Sequence, residues 1–372
     1  MSQDFTTRLQ LQLREAALRD ERRTPLGRRL AGLRHGMPRP AVVTAAALAA
    51  ALVVAVVVAG GLRWDGERPV AHPKVIADFP LADNTGQLTS GFGAVWVADS
   101  KQLEVLRVDP RTREVQARIR TGGDTNAFGG DPLLNAGAGG VWAIARAPSS
   151  DGGHRVLRID PATNKITARV TMPAAQAPVV FDVQIEQGRP WVISNRGAIE
   201  LDPATGRPVS FVEVRQPAGE PGPLWSFVAR SELWVLTRSG TLDRYDLDSG
   251  RRTASDQVPV AGAQVVVPTD EGLLYGANGG ELVLVRDGQE GWRRELGTSV
   301  SLPLVLGGMA WVHATDTATG RDRLIELDVR SGKVRSSTGL PQFGIRGITT
   351  VGDDLWLSTP NGRVTIVRPP SG

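Results

Sequence analysis

The sequence predicts an all-β fold: a seven-bladed β-propeller that an N-terminal strand closes and one transmembrane helix precedes. Three observations predict it. A tryptophan-centred motif recurs seven times at spacings of 37 to 49 residues, a turn motif beginning with aspartate recurs between the copies, and a run of 22 uncharged residues lies upstream of both. Short alternating apolar segments, Gly- and Pro-rich turns and the lack of helical periodicity favour β-structure throughout the repeats.

The tryptophan-centred motif reads small–apolar–Trp–apolar, and its period is that of a four-stranded propeller blade, about 40–50 residues. Its central positions are Trp96, Trp142, Trp191, Trp234, Leu274, Trp311 and Trp356. We place the motif on the second strand of each blade, where its regularity predicts packing between neighbouring blades. An aromatic ligand cage is the alternative interpretation of the same side chains.

The turn motif reads Asp-Pro-x-Thr-Gly in its clearest form and joins the third strand of a blade to the fourth. Asp accepts backbone N–H bonds, Pro presets φ, and Gly or Asn tolerates a positive φ at the last position. The copies begin at Asp109, Asp160, Asp202, Asp246 and Asp328. Arg113 holds the last position of the first copy, which should therefore be mildly strained, and the unit around Asp287 is degenerate.

The two ends of the repeat region predict how the ring closes. The last unit stops where its fourth strand should begin, whereas residues 74–81 carry a fourth-strand pattern, Val75, Ala77 and Phe79, with no strands before it. We therefore predict that strand 74–80 pairs with strand 362–368 and completes the seventh blade. Closure of this kind removes the exposed edge of an open sheet.

The uncharged run, residues 41–62, is long enough to cross the hydrocarbon core of a bilayer, about 30 Å, as a helix. Nine Arg and four acids precede it, so residues 1–40 carry +5, and residues 63–372 carry −1. The positive-inside rule predicts a single-pass protein of the cell membrane with a cytoplasmic N-terminus and an extracytoplasmic propeller. A cleaved signal peptide is the competing interpretation, but the preceding segment and the apolar run are both long for one.

The predicted organisation is therefore a basic cytoplasmic tail, residues 1–40, a transmembrane helix, residues 41–62, a linker, residues 63–73, and the propeller, residues 74–372. In the tail, Phe5, Leu9 and Leu13 recur every four residues. This pattern is typical of a helix that docks on a cytoplasmic partner or on the membrane surface. A solvated basic tail is the other interpretation, and both stay open.

Composition excludes several function classes. The net charge of +4 is the sum of +5 in the tail and −1 in residues 63–372, which is not typical of a domain that binds nucleic acid. The absence of Cys removes disulfides, thiol nucleophiles and Cys-based zinc sites, and four His make a multi-His metal site improbable. A Gly-x-Ser-x-Gly elbow, a P-loop and a dinucleotide fingerprint are also missing. We predict no catalytic residue, no metal and no cofactor.

The unit from Gly93 to Thr112 contains Gly-Ala-Val-Trp-Val-Ala-Asp and Val-Leu-Arg-Val-Asp-Pro-Arg-Thr. It and the unit from Gly140 to Val170 resemble YVTN-type and streptogramin-lyase-like (virginiamycin B lyase-like) bacterial propellers, over about residues 74–372. The resemblance implies the propeller fold. The lyase would also imply a magnesium site with a His pair and acidic ligands, whereas this propeller contains only His154 and His313, about four blades apart by sequence.

Loop irregularity predicts where a ligand would bind. The loops that follow the second and fourth strands emerge together on one face of the ring, the mouth face, where Arg and Asn suit an anionic or sugar-like ligand or a protein segment. The candidates are Asp124, Asn126, Arg146, Asn195, Arg196, Trp225, Arg238, Asn278 and Asn361. The alternative is that these Asn are hairpin residues and that Arg is simply the common basic residue here.

Together these features favour a non-enzymatic function: a membrane-anchored extracytoplasmic module that binds a ligand or protein and serves in sensing or as a scaffold. An extracytoplasmic lyase or hydrolase is the alternative, because distant loops can bring carboxylates together in ways that no local motif reveals. A third hypothesis is that the tail couples the binding of an extracytoplasmic ligand to a cytoplasmic regulator.

Overall fold

The computed structural model describes residues 72–122, 133–146, 153–177, 179–215, 225–237, 239–259, 263–277, 279–316, 321–341 and 344–370. Every regular element in these ranges is a β-strand, which confirms the all-β prediction. The predicted tail and membrane segment, residues 1–62, and most of the linker lie outside the described residues. Within the described residues there is no helix of the length and apolarity that crossing a bilayer requires.

The strands form seven four-stranded antiparallel sheets, one for each predicted blade. The first strand, β1 (Lys74–Pro80), belongs to the last blade. Blade 1 comprises β2 (Thr85–Gly91), β3 (Ala94–Asp99), β4 (Glu104–Val108) and β5 (Val115–Arg120). Blade 2 comprises β6 (Leu133–Gly137), β7 (Gly140–Arg146), β8 (His154–Asp160) and β9 (Lys165–Thr171). Blade 3 comprises β10 (Val180–Glu186), β11 (Arg189–Ser194), β12 (Gly197–Leu201) and β13 (Pro208–Glu213).

The remaining blades repeat the same meander. Blade 4 comprises β14 (Trp225–Ala229), β15 (Glu232–Leu236), β16 (Thr241–Asp246) and β17 (Arg252–Gln257). Blade 5 comprises β18 (Ala263–Thr269), β19 (Gly272–Ala277), β20 (Glu281–Arg286) and β21 (Gln289–Glu295). Blade 6 comprises β22 (Ser299–Leu306), β23 (Met309–Asp316), β24 (Arg321–Asp328) and β25 (Val334–Gly339). Blade 7 comprises β26 (Gly347–Val351), β27 (Asp354–Ser358), β28 (Arg363–Arg368) and β1.

The N-terminal strand closes the ring as predicted. β1 pairs antiparallel with β28 in a register that runs from Lys74 opposite Arg368 to Pro80 opposite Arg363. Asp78 strengthens the pairing, because its carboxylate accepts a bond from Arg363 Nε at 2.9 Å and one from Thr365 Oγ1 at 2.9 Å. The fourth strand of blade 7 thus comes from the opposite end of the chain.

The first strand of each blade lies innermost, and it contacts the first strand of the next blade around the whole ring, β26 to β2 included. Long polar side chains bridge several of these contacts. Gln87 Oε1 accepts from Leu134 N at 3.1 Å, Asn135 Nδ2 donates to Val183 O at 3.3 Å, and Gln184 Oε1 accepts from Val228 N at 2.7 Å. The inner strands therefore satisfy their polar groups across blade boundaries, which buried amides require.

The tryptophans of the tryptophan-centred motif pack between blades, as their regularity predicted. Trp96 is fully buried and belongs to a cluster with Val141 and Leu157 of the next blade. Its indole Nε1 donates to Gly91 O at 3.1 Å, and Trp142 Nε1 donates to Gly137 O at the same distance. These two indoles thereby hold the second strand of their blade to the end of the first, while their rings fill the gap to the neighbouring blade.

The turn aspartates cap their own hairpins. Asp160 Oδ1 accepts the backbone N–H groups of Ala162 and Thr163 at 2.7 and 3.2 Å, and these two bonds hold the pKa of Asp160 below its usual value. The last position of the motif is left-handed wherever the structure describes it. Arg113 has a φ of 65°, against 72° for Gly206, so the strained copy that the sequence predicted is present.

We predict that Arg113→Gly raises the free energy of unfolding by roughly 0.5–1 kcal/mol, because a left-handed non-Gly residue costs more than the extra chain entropy of Gly. Denaturant titration measures the change. The matched control is Gly206→Ala, which should lower stability, since its φ is 72° and its Cβ would meet Ala168 Cβ at 3.3 Å. A lower stability for Arg113→Gly would contradict this description of the turn.

Candidate functional site

The meander divides the loops between two faces of the ring. Loops after the second and fourth strands of each blade lie on the mouth face, whereas loops after the first and third strands lie on the opposite one, the turn face. Those of the predicted site residues that the structure describes lie on the mouth face. Those outside the described residues are Asp124, Asn126, Arg238 and Asn278. Arg146 ends β7, but its side chain is not among those described.

The two described asparagines are engaged in their own loops. Asn195 Oδ1 accepts from Val179 N at 3.3 Å and so ties the loop after β11 to the segment before β10. Asn361 Oδ1 accepts from Thr359 Oγ1 within the loop between β27 and β28. These bonds are those of hairpin residues. Asn195 belongs to blade 3 and Asn361 to blade 7, and these two blades are not adjacent.

Arg196 and Trp225 take opposite roles on adjacent blades. Arg196 is exposed beside Asn195 and presents its guanidinium to solvent, where it can meet an anionic or carbonyl-rich partner. Trp225 instead begins β14 and packs against the core cluster that contains Phe227 and Leu236. Its buried Nε1 has no hydrogen-bond partner among the described residues. Of the described candidates, Arg196 is therefore the one most available to a ligand.

The mouth face also holds a polar pocket that the sequence did not reveal. It measures about 460 Å³ and lies where blade 7 meets blade 1, with Asp83, Asp99 and Glu104 in its wall. Glu104 faces Arg118 at 3.6 Å and Arg120 at 3.3 Å, and Asp99 caps the backbone of its own loop. The pocket depends on ring closure, which no local pattern of acids in the sequence signals.

Asp182 is a second feature that the sequence did not single out. It lies on the innermost strand of blade 3, where Oδ1 accepts from Val183 N at 2.8 Å and Oδ2 from Gln184 Nε2 at 2.9 Å. Burial raises the pKa of Asp182 to about 6, although both bonds act in the other direction. A carboxyl group that titrates this close to neutrality marks functional sites as well as structural ones.

A Ser–His–Asp arrangement spans the mouth-side end of blade 6. His313 Nδ1 lies 2.9 Å from Ser301 Oγ, and His313 Nε2 lies 2.7 Å from Asp322 Oδ2. His313 and Asp322 are 6% and 3% exposed. Asp322 also accepts from Gly344 N, so the arrangement fastens the loop before β26 onto blade 6. Three separate strands contribute these residues, which is why no motif showed them.

The histidines do not form a pair. His154 begins β8 in blade 2 and His313 lies in β23 of blade 6, as their separation in sequence predicted. Among the residues that the structure describes, no group of three or more His, Asp or Glu side chains is placed to hold a metal ion.

Comparisons with known proteins support the fold and leave the family open. No protein-family model matches the chain, and no protein of curated function is detectably similar in sequence. BamB from Moraxella catarrhalis is 14% identical over 80% of this chain and 100% of its own, with a TM-score of 0.54. The Cps50 (Swd1) β-propeller domain of Myceliophteria thermophila is 11% identical over 80% and 100%, with a TM-score of 0.59.

A third similar structure is that of BBS1N in complex with ARL6DN, at 12% identity over 81% of this chain and 97% of that one, with a TM-score of 0.61. Identities this low show a shared fold only. The chain is thus a seven-bladed β-propeller, and its resemblance to the streptogramin-lyase-like family stays a prediction.

We predict that Asp182→Asn changes the pH dependence of stability. Between the unfolded pKa of 3.8 and the folded pKa of about 6, the folded wild type keeps a proton that the unfolded chain has lost. Its free energy of unfolding therefore falls as pH rises through this window. The variant lacks this titration, so it should gain on the order of 1 kcal/mol relative to wild type between pH 4 and 7.

Thermal unfolding across this pH range measures the effect. The control is Asp202→Asn, because backbone and side-chain bonds from Thr205 lower the pKa of Asp202, and its difference from wild type should change in the other direction and at lower pH. Parallel pH profiles for wild type and Asp182→Asn would show that Asp182 does not titrate in this way.

Proposed function

We propose that the protein is a membrane-anchored extracytoplasmic propeller that binds a ligand or a protein and acts in sensing or as a scaffold. The observation that carries the proposal is the position of β1. This strand begins at Lys74, after a linker of eleven residues, 63–73, that follows the predicted membrane segment, and it is built into blade 7. Fully extended, such a linker spans at most about 40 Å, so the ring would be held close to the bilayer.

A binding role is supported by how the ring uses its polar groups. The turn aspartates, the inner amides and the Ser301–His313–Asp322 arrangement are engaged in bonds that hold the fold together. The exposed Arg196 on the mouth face remains available for recognition. The BBS1N structure, which contains ARL6DN, shows that a propeller of similar fold occurs in a protein complex.

The alternative is an extracytoplasmic hydrolase, and one observation favours it: the hydrogen-bonded order Ser301–His313–Asp322 is that of a nucleophile, a base and an orienting acid. Burial and the bond to Gly344 N favour a structural role instead. Covalent labelling by a fluorophosphonate probe distinguishes the two, because labelling that Ser301→Ala abolishes would establish a reactive serine.

The proposed topology can be tested without background, because the natural chain contains no Cys. We expect Arg196→Cys to react with a membrane-impermeant maleimide in intact cells, since residue 196 is exposed on the propeller. Ser2→Cys in the tail should react only after the cells are permeabilised. Labelling of both variants in intact cells, or release of the propeller as a shorter soluble chain, would contradict the anchored topology.

The binding face can be tested by capture with the soluble domain, residues 63–372. We expect Arg196→Ala and Arg238→Ala to reduce recovery of an extracytoplasmic partner at least several-fold, because a charge-assisted bond contributes about 1.5–3 kcal/mol. Matched thermal stability of the variants serves as the folding control. Undiminished capture by both variants would remove the mouth face as the site.

A further inference from the structure

Among the described turns that join the third and fourth strands of a blade, one is much shorter than the others. In blade 5, β20 and β21 are joined by Asp287 and Gly288 alone, with φ values of 49° and 74°. Two consecutive positive φ values are typical of a tight two-residue hairpin. The five-residue motif that the other described copies share is therefore missing here, at the degenerate unit that the sequence analysis noted.

The longer turns serve as docking pieces for the preceding blade. Arg107 of blade 1 stacks over Trp96, with its guanidinium 5.5 Å from the ring centre. Its Nη1 donates to Pro161 O at 2.7 Å and to Asn164 Oδ1 at 2.9 Å, both in the turn of blade 2. The turn thus supplies carbonyl and amide oxygens to an Arg–Trp pair on its neighbour.

Turn carbonyl oxygens accept an Arg bond at other junctions as well. Arg158 Nε of blade 2 donates to Pro203 O in the turn of blade 3 at 2.8 Å. Arg286 Nη2 of blade 5 donates to Arg330 O in the turn of blade 6 at 2.5 Å. At these junctions, the fold therefore places a hairpin turn with accessible carbonyl groups against the turn-face side of the preceding blade.

Blade 4 carries an equivalent Arg–Trp pair, but the two-residue turn of blade 5 does not supply the oxygen atoms that this pair would bind. Arg244 and Trp234 are cross-strand partners, as Arg107 and Trp96 are, and the guanidinium lies 5.2 Å from the indole ring centre. The one hydrogen bond found for the Arg244 side chain among the described residues goes to Asp256 of its own blade, at 3.3 Å. The position that a turn of blade 5 would fill is left open.

An open groove of about 370 Å³ occupies that position. Arg244 and Trp234 form one wall, Leu273 and Val285 of blade 5 form the other, and the short turn, Asp287 and Gly288, lines its end. Trp234 is partly exposed, whereas the other five tryptophans of the tryptophan-centred motif are at most 4% exposed. Arg230 of blade 4 also lines the groove, and its Nη2 donates to Thr269 O of blade 5 at 2.7 Å.

We propose that this groove, between blades 4 and 5 on the turn face, binds a hairpin turn of a partner protein. The partner would present backbone carbonyl oxygens to the Arg244 guanidinium and lay an apolar turn residue, such as Pro, on Trp234. The proposal rests on what the same chain places at its equivalent junctions, and it does not depend on the mouth-face site.

A cyclised peptide with residues 158–167 of this chain, which contain the turn that Arg107 binds, is the probe. Fluorescence anisotropy of the labelled peptide measures its binding to the full-length protein in detergent. We expect saturable binding that Arg244→Ala weakens about tenfold or more, since hydrogen bonds to a charged group of this kind contribute on the order of one factor of ten. Arg107→Ala is the matched control: its junction is already filled, so peptide affinity should not change.

A second variant keeps the test independent of folding defects in Arg244→Ala. Replacing Asp287 and Gly288 by the five residues Asp-Pro-Ala-Thr-Asn should fill the groove from within and abolish peptide binding, while thermal unfolding stays close to that of the wild type. Absence of saturable binding to the wild-type protein overturns the proposal. Binding that persists in both the lengthened-turn variant and Arg244→Ala overturns it as well.

Discussion

The structure depends on one constraint: no blade is complete without its neighbour. A four-stranded antiparallel sheet offers apolar faces and inner amides that it cannot satisfy alone. Trp96 is buried by residues of the next blade, Gln184 accepts from the backbone of the next inner strand, and Arg158 donates to the next turn. Each blade therefore needs a neighbour on both sides, and a closed ring supplies them. β1, the first described strand, provides that closure by pairing with β28.

Sequence reasoning succeeded where the signal was periodic. The tryptophan-centred motif and the aspartate turn recur at blade spacing, and each has a local physical cause. The number of blades, the strand order and the pairing of 74–80 with 362–368 could therefore be predicted. The strain at Arg113 followed from the same reasoning, because four other copies defined what the last turn position needs. In a repeat protein, the residue at one position of a unit can be compared with the residues at the same position of the other units.

Sequence reasoning did not reach features that form between separate strands or between blades. Ser301, His313 and Asp322 come from three strands of one blade, and the pocket beside Asp99 forms only where blade 7, which β1 completes, meets blade 1. The open groove beside Arg244 is visible only when the missing turn of blade 5 is compared with its docked equivalents. Loops of the mouth face, by contrast, are aperiodic, so the candidates there rested on residue type. Asn195 and Asn361 proved to be occupied by their own hairpins.

Closure of the ring by β1 is the central claim, because it explains the stability of the fold and ties the propeller to the segment before it. Hydrogen–deuterium exchange of the full-length protein tests it most directly. The amides of β1 that face β28 should be protected to the same degree as those of β28 and should exchange in the same cooperative opening. Rapid exchange of residues 74–80 while β28 stays protected would show that the seventh blade is closed in another way.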